Sequence, residues 1–182
     1  MYILSCIKIQ TMKSTAIFCT LTLGLISLGI SARAQETASA TATATIVTPI
    51  AITKDVDMNF GILSVQSTTG GTVVLTPAGV RSATGGVTLP ADNGTVTAAS
   101  FTVTGVAGYG YTITLPSSAL TITSGSNTMT VTNFTSDPSG ANGTLTGGTE
   151  TLNVGATLNV SAAQPAGTYV SGTPFNVTVN YN

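Results

Sequence analysis

The chain has no histidine and no tryptophan, and its 182 residues carry only five Lys or Arg and six Asp or Glu. Without His, the commonest general base and the commonest metal ligand are both missing. Cysteine is scarce too. Cys6 and Cys19 are the only two, and both fall in the export signal described below. The exported part therefore has no thiol and no disulfide, and must rely on an apolar core and a hydrogen-bonded sheet. Zinc sites and the usual nucleophile–base triads cannot be assembled without Cys or His. Ser-Lys catalysis would have to use Lys54, the only lysine after the signal, which sits beside Thr53 and Asp55 in a charged turn. The acids are scattered through turns and offer no specific pair for work on sugars. The expectation is a protein that is not an enzyme, with no catalytic residue, no metal site and no cofactor.

Charge is equally thin. Past residue 34 there are two cations (Lys54, Arg81) against six carboxylates (Glu36, Asp55, Asp57, Asp92, Asp137, Glu150), a net charge of −4. Nucleic-acid binding needs clustered Lys and Arg to displace counterions, so no nucleic-acid partner is expected. Asp55-Val56-Asp57-Met58-Asn59 begins like a calcium loop, but Phe60 and Gln66 stand where an EF-hand needs Gly and Glu. A solvated turn is the better reading. Gly70-Gly71-Thr72-Val73-Val74 leads into no helix and carries no Gly-Lys-Ser/Thr, so it reads as a hairpin turn rather than a phosphate cradle.

What is present starts with an export signal. Met12-Lys13 opens an n-region, residues 16–30 form the apolar stretch, and Ala32-Arg33-Ala34 supplies small residues for cleavage after Ala34. The true start is expected at Met12. The apolar run is short for a membrane span, and Gly24, Ser27 and Gly29 dilute it, so no span is expected once the signal is removed. Cleavage leaves 148 residues, the size of one domain.

Directly behind the signal, residues 37–46 read T-A-S-A-T-A-T-A-T-I. In an extended strand Ala38, Ala40, Ala42, Ala44 and Ile46 fall on one side, and Thr37, Ser39, Thr41, Thr43 and Thr45 on the other. Small apolar side chains let such a strand enter a narrow groove, and a free N-terminal strand suits pairing with another subunit's sheet edge. Two pairings satisfy the alternation. Residues 35–45 act in trans as a donor-type strand, or residues 37–53 form the first strand of the chain's own sheet.

Beyond Pro49, strand signals recur at short intervals and helix signals are nearly absent. Strands are expected over residues 46–53, 58–63, 72–76, 86–89, 95–105, 111–115, 120–123, 128–135, 151–160 and 175–181. Turn chemistry separates them, as in Asp92-Asn93-Gly94 and Asn142-Gly143. Phe175, Val177, Val179 and Tyr181 alternate along the last strand and are expected to form one buried face. Short strands at this spacing favour a single antiparallel β-sandwich of immunoglobulin-like size over residues 46–182. Among the aromatics, those at alternating strand positions read as core. Tyr109, flanked by Gly108 and Gly110 in a turn, is the one expected at the surface.

Several motifs in this order resemble a bacterial exported family, the domain-of-unknown-function 4402 family (DUF4402). They are Met58-Asn59-Phe60-Gly61, Gly70-Gly71-Thr72-Val73, Ala99-Ser100-Phe101-Thr102-Val103-Thr104-Gly105, Tyr111-Thr112-Ile113, Gly167-Thr168-Tyr169 and Phe175-Asn176-Val177-Thr178-Val179-Asn180-Tyr181. Together they cover roughly residues 40–182. That family in turn is similar to the spore-coat-U-type pilins of archaic chaperone–usher fimbriae. Those also run Phe-Gly near the start and end in Gly-x-Tyr before an alternating final strand. The resemblance implies an incomplete immunoglobulin-like sandwich whose missing strand comes from a neighbour's N-terminal extension. Such pilins often carry a disulfide, which this chain lacks after the signal.

The leading expectation is an exported structural subunit of a surface fibre in a Gram-negative bacterium, pilin-like, with a role in adhesion. Its partners would be further copies of itself, joined through Ala38, Ala40, Ala42, Ala44 and Ile46, together with a periplasmic chaperone and an outer-membrane usher. The location would be the periplasm, the cell surface or an extracellular fibre. The alternative is a monomeric secreted or surface-associated binding module, for a glycan for example.

Overall fold

The computed structural model describes residues 35–182. The export signal, its expected cleavage site after Ala34, the start at Met12, Cys6 and Cys19 lie outside the described residues. Among the described residues the compact unit spans Thr45–Asn182.

The second unit is built from antiparallel strands, as alternation of apolar and hydroxylated residues requires. β1 (Ala51–Val56) pairs with β6 (Ala99–Thr104), and β6 with the first half of β11 (Thr149–Val160). The second half of β11 pairs with β3 (Gly71–Leu75), which pairs in turn with β4 (Arg81–Gly85). On its other edge β11 takes β9 (Asn127–Asp137), followed by β8 (Leu120–Ser124) and β12 (Val170–Ser171). A second sheet is ordered β10 (Asn142–Thr144), β7 (Gly110–Thr114), β13 (Thr178–Tyr181). A two-stranded piece pairs β2 (Ser64–Val65) with β5 (Val87–Thr88). The all-β antiparallel sandwich expected from the sequence is the fold.

Burial follows the alternation strand by strand. On β6, Ala99, Phe101 and Val103 are buried; on β7, Tyr111 and Ile113; on β11, Leu152, Val154, Ala156, Leu158 and Val160. The core separates into two clusters. One gathers Phe101, Val103, Tyr111, Ile113, Leu145, Leu152, Val154 and Val179 under the sheet β10–β7–β13. The other gathers Phe60, Val73, Leu75, Val87, Met129, Val131, Leu158 and Val160. Met58 and Phe134 pack against both. No buried side-chain nitrogen or oxygen lacks a hydrogen-bond partner among the described residues.

Several boundaries differ from the expected ones, for identifiable reasons. The strand expected over residues 58–63 is a partly unpaired segment with a single bridge, Asn59 to Thr97. Gly61 sits there at φ +68° and breaks the extended run. The last strand was expected from Phe175 and pairs only from Thr178. Continuing its register with β7 would set Asn176 opposite Pro116, which has no N–H to give. β9 runs on to Asp137 through a bulge, where Asn133 adopts φ +49°. β4, β10 and β12 are strands that the alternation did not announce.

Candidate functional site

The floor of the second cluster is not fully roofed. A groove of about 920 Å³ opens over it, which is large among ligand pockets. Its floor comes from three neighbouring strands: Leu120 and Ile122 of β8, Met129 and Val131 of β9, Leu158 and Val160 of β11. These are the inward positions that strand alternation dictates. One wall is the segment bearing Met58, Phe60, Leu63 and Val65; the other bears Tyr169 and Phe175. Phe175 is fixed by ring contacts with Phe134 (5.1 Å) and Phe101 (6.4 Å).

Polar ties hold the walls. Arg81 of β4 donates from one guanidinium nitrogen to the carbonyls of Phe60 (2.5 Å) and Ile62 (2.7 Å), and from the other to Asn93 Oδ1 (2.7 Å). The Ile62 N–H donates to the Asn93 carbonyl (2.9 Å). On the opposite wall Gln164 Nε2 donates to Tyr169 Oη (2.9 Å) and to the Thr128 carbonyl, and Tyr169 Oη donates to the Pro165 carbonyl. The Ala163 N–H bonds the Gln66 carbonyl (2.9 Å) and joins the two walls. The charged groups lining the groove are Lys54 and Asp57, which pair with each other at 2.8 Å on exposed side chains. A pair so exposed contributes little to stability and leaves the groove electrically neutral.

The final strand adds a sheet edge. The Asn182 N–H donates to the Gly110 carbonyl (3.2 Å) in the register of β13 with β7. Residues 178, 180 and 182 therefore exchange bonds with β7, and the intervening Val179 and Tyr181 turn their peptide groups to the other edge. That edge has no ladder partner among the described residues. Of the four side chains expected to form the final strand's core face, Val179 is buried, while Phe175, Val177 and Tyr181 are half-buried. All four pack against the first cluster.

Ala38, Ala40, Ala42, Ala44 and Ile46 belong to a stretch, residues 35–50, that makes no strand. Each of the five is exposed, Ile46 at 97 %. The chain enters the sandwich at Thr48, whose carbonyl accepts a hydrogen bond from Tyr181 Oη (3.0 Å). From there it reaches Val56 at the groove only after running the length of β1, roughly 25 Å in strand geometry.

Elsewhere the chemistry is sparse. Among the described residues no group of His, Cys, Asp and Glu is placed to hold a metal ion. Tyr109 is 45 % exposed and meets Tyr181 edge-on at 5.6 Å. Tyr111 is fully buried and donates to Glu150 Oε2 (2.8 Å). Burial first, then that hydrogen bond and the carboxylate's charge, push its hydroxyl well above the usual phenol range. No helix among the described residues is long and apolar enough to cross a membrane. The groove and its wall ties were not legible as a site in the sequence. The groove floor comes from strands far apart in the chain, and the wall segment at residues 58–63 is expected from the sequence as a strand rather than as one side of a site.

Residues 50–181 match the model of the family described as Domain of unknown function (DUF4402), and the chain belongs to that family. No curated protein and no solved structure matches it.

Proposed function

We propose that this protein is an exported, non-enzymatic structural subunit of a bacterial surface fibre, in which residues 37–46 of one copy lie as a strand in the groove of the next. The observation that carries this reading is the open apolar groove over Leu120, Ile122, Met129, Val131, Leu158 and Val160. A second copy's N-terminal segment suits it chemically. That segment has no charged residue, so its entry would bury no charge, and Ala38, Ala40, Ala42 and Ala44 are small enough for a narrow cleft. Its ten residues span roughly 33 Å when extended. Ile46 would contribute about 1.5–3 kcal/mol on full burial. Register would follow from the alternation, since a slip of one residue turns the Thr face inward.

Under this reading an incomplete subunit needs a periplasmic chaperone and an outer-membrane usher to reach the surface of a Gram-negative cell, as the pilin resemblance implies. The fibre's exposed turns would serve adhesion. Size-exclusion chromatography and electron microscopy of the exported protein test the proposal. Ladders of multimers or fibres are expected. A sharp monomer peak at high concentration would favour a monomeric surface module instead.

A further inference from the structure

Arg81 and Lys54 are the only cations among residues 35–182, and they are used differently. Lys54 pairs with Asp57 in solvent. Arg81 has no carboxylate partner among the described salt bridges, and spends its guanidinium on three neutral oxygens: the Phe60 and Ile62 carbonyls and Asn93 Oδ1. A planar fork can hold several acceptors at once in a fixed geometry; an ammonium on a flexible stem cannot do so in the same way. Two of those acceptors belong to the wall that carries Met58, Phe60 and Leu63 into the groove. The segment between them contains Gly61, at φ +68°, where an added Cβ would meet the Asn93 carbonyl and the Arg81 guanidinium. The wall is therefore pinned from behind at its one left-handed residue, against β4 and the Asp92-Asn93-Gly94 turn.

We propose that Arg81 is a positioning residue for strand entry: by fixing the backbone at residues 60–62 it sets the groove's wall, and so the affinity for the entering strand, without touching that strand. This inference rests on the strand-insertion reading above.

The test uses the exported chain and a fluorescent synthetic peptide of residues 37–46, with binding followed by anisotropy well below the melting temperature. Amide exchange at Ile62 and Leu63 is measured alongside. Arg81→Lys should weaken peptide binding about tenfold, equivalent to 1.4 kcal/mol, and speed exchange of the Ile62 amide. Asn93→Asp keeps the acceptor and should hold affinity within about twofold, whereas Asn93→Leu should behave like Arg81→Lys. Val154→Ala provides the control for general destabilisation, since Val154 is fully buried in the first cluster and does not line the groove. It should lower the melting temperature and leave peptide affinity unchanged. Equal affinity loss in Arg81→Lys and Val154→Ala would reduce Arg81 to a stabilising residue and overturn the inference. So would unchanged Ile62 exchange in Arg81→Lys. A wild-type chain that does not bind the peptide at all would instead refute strand insertion, and the role of Arg81 in it would fall with it.

Discussion

Replacing Tyr181 with Phe removes one oxygen and leaves the ring in place. That oxygen accepts from the Val106 N–H (2.7 Å) and donates to the Thr48 carbonyl (3.0 Å). It thus ties the last strand to the loop after β6 and to the point where the chain enters the sandwich. The Val106 bond is part-buried, so its loss strands a backbone donor with poor access to water. An unsatisfied buried donor costs about 1–3 kcal/mol. The Thr48 bond is exposed, where water replaces the lost donor, and it adds little. For a domain of this size each kcal/mol lowers the melting temperature by about 2–4 °C, so a fall of roughly 2–12 °C is expected. Differential scanning calorimetry of the exported chain and the variant measures it directly. The edge-on contact with Tyr109 survives the substitution, so any loss belongs to the hydroxyl. A melting temperature within 1 °C of wild type would show that the Val106 amide finds another partner, and the argument for Tyr181 as a structural tie would fail.

Further outcomes follow from the same geometry. Tyr111 holds its proton in the folded state well above the pH at which an unfolded tyrosine, near pH 10, loses it. Unfolding therefore releases a proton above about pH 10, and stability should fall as pH rises from there. Urea midpoints at pH 9, 10 and 11 should show this decline, and Tyr111→Phe should flatten it; a midpoint constant to pH 11 would contradict the assignment. Ala42→Asp lies in a segment with no strand pairing, so the variant should melt like wild type while forming no multimers on size exclusion. Normal multimers from Ala42→Asp would remove this face from any buried interface.

Most of the strands were legible because their side chains alternate. Phe101 and Val103, Tyr111 and Ile113, and Leu158 and Val160 announce both the strand and its buried face. β4 was not, because Arg81-Ser82-Ala83-Thr84-Gly85 offers only Ala83 to the core, and its pairing comes from β3 beside it. The segment at residues 58–63 looked like a strand because Met58, Phe60 and Ile62 alternate. The positive φ of Gly61 and the capture of two carbonyls by Arg81 stop it from joining a ladder. The groove was hidden for a different cause. It is made by floor residues from β8, β9 and β11 and by walls more than a hundred residues apart, and no local pattern records what fails to cover a core. The Thr-Ala alternation of residues 37–46 was legible at once, yet alternation alone does not say which sheet it joins.

Removing residues 35–45 from the exported chain and comparing the product with the full-length form, by size exclusion and thermal melting, tests strand exchange most directly. A folded sandwich is expected, melting near the wild-type temperature of the monomer, forming no multimers and taking up the peptide of residues 37–46. A deletion variant that still builds multimers, or that unfolds because the segment belonged to its own sheet, would contradict it.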